Sequence, residues 1–281
     1  MNEHHYIHPS NNVASWLIEP LCNSAAIKKI RRTVFNVLPF LKMKSEVKGI
    51  VYVNWLVDTH VATQFVPSNV SLIDINGKTL LSVLTYKHGN FRPSIFSFIH
   101  FIFPSPFQSN WRFYASSLND TTTSNTVLFI KNIMSSTLFT ISTRLFSDAM
   151  QTHLASKFKH KIGKNQTNTL ITQGSGSSPS FMCNTQFSDN FKIPSELSEH
   201  FGGDNQAIKY LCLQDFALSE GEDFNGVCKA EINLPINTTQ IIPLSVTALE
   251  SKWLNTITKE AEPFAFLVPS VKFEVLNEQL V

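Results

Sequence analysis

Apolar positions change their period twice along this chain. Between Val13 and Leu41 they recur at helical spacing: Trp16, Leu17, Leu21 and Ala25 form one stripe, and Ile27, Ile30, Val34, Val37 and Leu38 another. Pro20 and Pro39 punctuate this region, which predicts a short helix followed by a longer one ending near Leu38. From Val47 the period is two. GIVYVNWLVD reads as a strand, and Asn76-Gly77 predicts a hairpin turn between Val70–Ile75 and Thr79–Tyr86. In the next strand Trp111, Phe113 and Ala115 face one side, while Asn110, Arg112 and Tyr114 face the other. After a polar turn at Asn119–Asn125, Thr126–Met134 returns with Val127, Phe129, Lys131 and Ile133 expected on one face.

The period becomes helical again at Ser135 or Ser136, both good N-cap types. Leu138, Ile141, Leu145, Ala149 and Leu154 supply the expected buried stripe of a principal helix ending near Lys157–Lys161. Further strands are expected at Thr169–Gln173, Ser180–Phe187, Ala207–Ala217, Val227–Leu234, Gln240–Pro243 and Phe264–Val275, with short helices at Pro194–Phe201 and Leu249–Thr258. Many short strands separated by turns argue for a closed or nearly closed barrel, since closure removes exposed edges. The fold class is therefore β-rich (α+β): an antiparallel barrel or cone with one principal helix and N-terminal helices. Residues 1–45 are expected to form a tail and helical segment, and 46–281 the barrel domain.

Composition narrows the function classes. Of 281 residues, 43% are hydrophobic and 16% charged, enough for a sizeable core; 23 Phe against 10 Gly favours half-buried sheet. A formal charge of +2, with no basic stripe, argues against nucleic acid. Cys22, Cys183, Cys212 and Cys228 lack metal or disulfide spacing and read as buried free thiols. The N-terminus carries no basic region leading into an apolar run, so a cytoplasmic protein is expected. Ile95–Phe107 is very apolar but shorter than the ~20 residues of a spanning helix, and it is broken by Pro104 and Pro106. It reads as a wall or lid over an apolar cavity, without stable membrane insertion. His4, His5 and His8 are expected on a disordered tail, and Lys28, Lys29, Arg31 and Arg32 on a solvated helix face. No metal site and no cofactor is expected.

Four segments together resemble the acetoacetate-decarboxylase-like superfamily, in particular a bacterial branch built on a domain of unknown function. They are VNWLVDTHVATQFVPSNVSLIDINGKTLLSVLTY, FQSNWRFYASS, TVLFIKNIMSSTLFTISTRLF and, more distantly, KYLCLQDFALSEGEDFNGVCKAEINLP. The resemblance implies an antiparallel cone with an internal ligand cavity. In the decarboxylases a buried lysine forms a Schiff base with a β-keto acid, following a helix that starts Gly-Arg-Glu and ends Pro-Lys. Here Thr143-Arg144-Leu145 occupies the Gly-Arg-Glu place, and Phe146-Ser147-Asp148-Ala149-Met150-Gln151 follows; Arg144 matches, while the glutamate and the lysine do not. Gln108 stands where the family has a second carboxylate.

The expected function is a pocket for a small carboxylated or apolar molecule, with Arg112, Arg144, Gln108, Asn110 and Tyr114 as its polar lining. One alternative is a carbon–carbon lyase on a small keto acid using Lys131 as a non-standard nucleophile, its pKa lowered by burial. The other is a non-enzymatic binding or interaction protein, for which a second copy of the chain is an open partner.

Overall fold

The structure is a computed structural model that describes residues 4–35 and 40–281. Helix α1 (Val13–Cys22) starts at a capping box, in which Asn12 and Ser15 exchange side-chain and backbone hydrogen bonds. Helix α2 (Ala25–Phe35) follows; the expected helix end at Val37 and Leu38 lies outside the described residues.

The first half of the sheet comprises β1 (Met43–Asp58), β2 (Val70–Leu72), β3 (Lys78–Pro93), β4 (Phe107–Leu118) and β5 (Thr121–Met134), with a single turn α3 (Thr59–Ala62) after β1. Helix α4 (Thr137–Phe146) precedes β6 (Thr152–Leu154), β7 (Lys157–Ile162), β8 (Gln166–Thr172) and β9 (Phe181–Phe187). Helices α5 (Ser195–Phe201) and α6 (Asp204–Cys212) lead to β10 (Phe216–Glu220), β11 (Val227–Asn233), β12 (Ile242–Glu250), α7 (Lys252–Thr258) and β13 (Phe264–Leu280).

These strands make one large mixed sheet. Its order runs β1-β3-β4-β5-β10-β11-β13, and β13 pairs again with β1, so this part is ring-like. An arm of β12-β9-β8-β7 continues from β13. The β-rich class is as expected, with parallel pairings of β5 to β10 and to β6 added to the antiparallel plan.

Strand alternation then builds two cores. Inward residues such as Tyr52, Leu84, Tyr114, Val127 and Phe266 fill the ring together with Leu197, Ile208 and Leu211 from α5 and α6. Outward residues of the same strands, including Val53, Trp55, Val83 and Trp111, pack against Phe181, Leu244 and Leu254 of the arm and α7. A strand buried on both faces needs a near-continuous apolar run, which VYVNWLV supplies with Asn54 as its one strongly polar member.

Several expectations are corrected here. The principal helix ends at Phe146, because Ser147 is extended (φ −136°, ψ 138°) and the chain turns into β6, which pairs with β5. Its buried face is Phe139, Thr140, Thr143 and Arg144, whereas Leu138 is exposed. Ala207–Cys212 is helical, as part of α6, which follows its N-cap Gly203 and lays Ala207, Ile208 and Leu211 on one face. The Asn76-Gly77 turn forms with positive φ at both residues, yet beyond the Ile75–Lys78 bridge β2 pairs with β4. His4, Tyr6 and His8 are buried, as the backbone of Ile7 and Pro9 bonds the Gly174–Ser177 loop. Lys28 and Arg31 are buried too: Lys28 pairs with Glu222, and Arg31 and Arg32 with Asp148. All four cysteines are buried and free. Among the described residues no helix is long and apolar enough to cross a membrane.

Candidate functional site

The interior of the ring is stacked in levels fixed by strand register. Asn54, Ser82 and Arg112 form the deepest; Tyr52, Leu84 and Asn110 come next, and Tyr86 and Gln108 follow. Successive levels are about 7 Å apart, two residues along a strand. A cavity of about 50 Å³ lies among them, lined by Tyr52, Tyr86, Asn110, Arg112, Phe129 and, at the other end, Met150, Val275 and Glu278.

Arg112 is 2% exposed. Its Nη2 donates to the Leu211 carbonyl at 2.9 Å and to the Tyr114 hydroxyl at 3.3 Å, and its guanidinium sits 5.6 Å from the Tyr52 ring centre. Nε has no hydrogen-bond partner, and no carboxylate pairs with Arg112 among the described residues. Burial opposes the charge, while the neighbouring Tyr114 and Tyr52 favour it. An arginine keeps its proton in proteins, so a full positive charge stands at the cavity wall without a counter-ion. Leaving a buried charge uncompensated costs several kcal/mol, on the order of 3–5.

Tyr86 donates to Asn110 Oδ1 at 2.7 Å, which fixes the amide beside the guanidinium. Tyr114 supports Arg112 from behind, its hydroxyl meeting Ser82 at 3.0 Å and the Leu211 carbonyl at 3.1 Å. Gln108 lies on the same inner face, tied to His88 Nε2 at 2.6 Å; His88 is held neutral by burial, its pKa lowered to about 4. The structure thus brings Arg112 and Asn110 to the cavity, with Tyr114 and Gln108 flanking it.

Arg144 and Lys131 lie elsewhere. Arg144 is fully buried, and its Nη2 contacts Glu222 at 2.5 Å and the His4 carbonyl at 2.9 Å, binding the N-terminal segment to α4. The expected common face of Phe129, Lys131 and Ile133 is corrected by a bulge: Trp111 pairs with Lys131, yet Arg112 pairs with Phe129, so Ile130 is the extra residue. Phe129 therefore joins the inner core, while Lys131 turns outward with Trp111. Its Nζ lies 5.9 Å from the Trp253 ring, at a separate open cleft of about 1210 Å³ between the β8–β9 turn and α7.

Sequence reasoning missed Glu278, Tyr52 and Tyr86. Glu278 lines the cavity, accepting from the Ser147 hydroxyl and the Asp148 backbone N–H. Burial pushes its carboxyl up to about 7, with the Asp148 carboxylate adding to the rise and Arg31 opposing it. For Tyr52 and Tyr86 the one available signal was polar groups at even positions of strands otherwise apolar on both faces; Glu278 lies in the polar run Asn277-Glu278-Gln279, which carries no such signal. Ala149 and Met150, in the stretch that follows Arg144, line the cavity, and no lysine lines it among the described residues.

The fold has solved relatives. The enduracididine biosynthesis enzyme MppR in complex with pyruvate superposes with a TM-score of 0.59 at 10% identity, covering 86% of this chain and 91% of that one. Acetoacetate decarboxylase from Legionella pneumophila gives 0.58 at 9% identity over 86% and 88%. An acetoacetate decarboxylase-like enzyme from Sphingomonas wittichii gives 0.57 at 7% over 85% and 92%. At such identities the likeness shows the fold alone. No curated protein matches the sequence. The profile of DUF2071, an uncharacterized conserved protein family, matches residues 44–201, more than half of the chain. With an acetoacetate-decarboxylase-like fold and that match, this chain belongs to the DUF2071 family.

Proposed function

We propose that the ring interior binds a small carboxylated molecule through Arg112 and Asn110, without imine chemistry. The observation that carries this reading is a buried guanidinium at a cavity wall with no carboxylate partner among the described residues. A ligand carboxylate would accept from its unused N–H groups and supply the missing counter-charge. The pyruvate complex of MppR supports the same class of ligand in this fold. Any chemistry there falls to Glu278, whose carboxyl, raised to about 7, can hold or release a proton near neutral pH.

The test is calorimetric titration with acetate, butanoate and pyruvate, repeated on Arg112→Met. Methionine roughly matches the arginine stem while removing the charge. We expect binding in the parent and at least a 30-fold loss in the variant, the scale of a charge-assisted hydrogen-bond pair. Carboxylate binding that survives Arg112→Met unchanged, or no binding by the parent, overturns the reading.

A further inference from the structure

The cavity by itself is small for a ligand pocket. At about 50 Å³ it lies far below the roughly 300–1,000 Å³ of whole small-molecule pockets, which suits a head group such as a carboxylate. Whatever else the ligand carries needs adjoining space, and shared lining residues point to where it lies. Met150, Val275 and Glu278 line the cavity and also line a second space of about 380 Å³ beyond it. The walls of that groove are Phe40, Met43, Phe91, Phe103, Phe139 and Phe146, with Leu138 at its α4 rim. Its polar contributors are few: Ser142 and Thr143 from α4, Ser147 just after it, and Glu278, which also lines the cavity. The size fits the range of small-molecule sites, and the apolar walls fit hydrocarbon.

We infer that the ligand is a lipophilic carboxylic acid, its carboxylate on Arg112 and its hydrocarbon body in the groove beside α4. This rests on the carboxylate reading of Arg112 and specifies the substrate class that reading leaves open. Short keto acids would occupy the head site alone. An acid with a longer apolar body would bury it against the phenylalanines at about 25 cal/mol per Å², roughly a fourfold gain in affinity per fully buried methylene.

The experiment compares butanoate with octanoate by calorimetry, below micellar concentrations, on the parent and three variants. In the parent, octanoate should bind at least tenfold more tightly than butanoate. Ser142→Trp fills the groove from the α4 side, and Leu138→Asp charges its rim at a side chain already 63% exposed, so the fold is spared. Both should abolish most of the chain-length gain while leaving butanoate binding within twofold. Arg112→Met should weaken both acids. Thermal unfolding confirms that each variant is folded. If butanoate binds and octanoate gains nothing, the groove inference falls and the carboxylate reading stands. If neither acid binds, both fall. A gain that persists in Ser142→Trp, or octanoate binding indifferent to Arg112→Met, places the chain elsewhere and overturns the inference.

Discussion

At the residue scale, Glu278 shows how one position couples site and stability. Its carboxyl is raised from an ordinary 4.5 to about 7 because burial disfavours the anion more than its two hydrogen bonds favour it. The groups facing it are the Ser147 hydroxyl, the Asp148 backbone and carboxylate, Arg31 and the buried Cys228 thiol. A carboxyl whose folded value exceeds its unfolded one holds its proton better when folded. Its contribution to stability is complete below pH 4.5, falls between 4.5 and 7, and is gone above 7. Glu278→Gln keeps an acceptor for the Asp148 N–H and removes the titration. It should stabilise the protein by ~1–2 kcal/mol at pH 8 relative to pH 4.5, with partial exposure accounting for the modest size. Urea unfolding at the two pH values checks this, and an equal change at both would show that Glu278 titrates as in the unfolded chain.

At the element scale, the decisive contacts are those tying α2 and the N-terminal segment to α4. Glu222 lies between the fully buried Lys28 and Arg144, and Asp148 receives Arg31 and Arg32. Burial lowers the Lys28 pKa, and Glu222 is the main influence opposing that loss. Glu222→Gln would leave two buried cations facing a neutral amide, at a cost of roughly 3 kcal/mol or more. Limited proteolysis should then cut first within residues 4–24, and a variant as protease-resistant as the parent would remove Glu222 from this role. Such contacts were not legible in the sequence. Period-two strands and the Asn76-Gly77 turn are local, and they could be read because side-chain alternation and turn chemistry act over a few residues. Lys28, Arg31 and Arg32 look like a solvated helix face until Glu222, Asp223 and Asp148, more than 100 residues away, are folded against them. The length of α4 was obscured likewise. Helical apolar spacing continues past Phe146, while the pairing of Thr152–Leu154 with β5 that ends the helix is long-range.

At the scale of the whole molecule, the ring-like sheet keeps two chemistries apart. Arg112 faces inward to the cavity, and Lys131 faces outward to the cleft at Trp253, although Arg112 and Lys131 lie on adjacent strands. The reversal comes from one extra residue, Ile130, and alternation alone could not reveal it because a one-residue shift exchanges the faces of everything beyond it. Residues on opposite faces of a packed sheet share no partners, so their substitutions should act independently. Lys131→Met should therefore leave butanoate affinity within twofold, whereas Arg112→Met loses it, and the double variant should match Arg112→Met alone. Borohydride reduction in the presence of pyruvate offers a second check, because it fixes any imine as a covalent mass increase. With Lys131 separated from the guanidinium by the sheet, a substrate carboxylate on Arg112 cannot present its keto carbon to that amine. We expect no pyruvate-derived adduct on Lys131 by peptide mapping. An adduct there that disappears in Arg112→Met would join the two faces into one active site and return a lysine-dependent lyase to this fold.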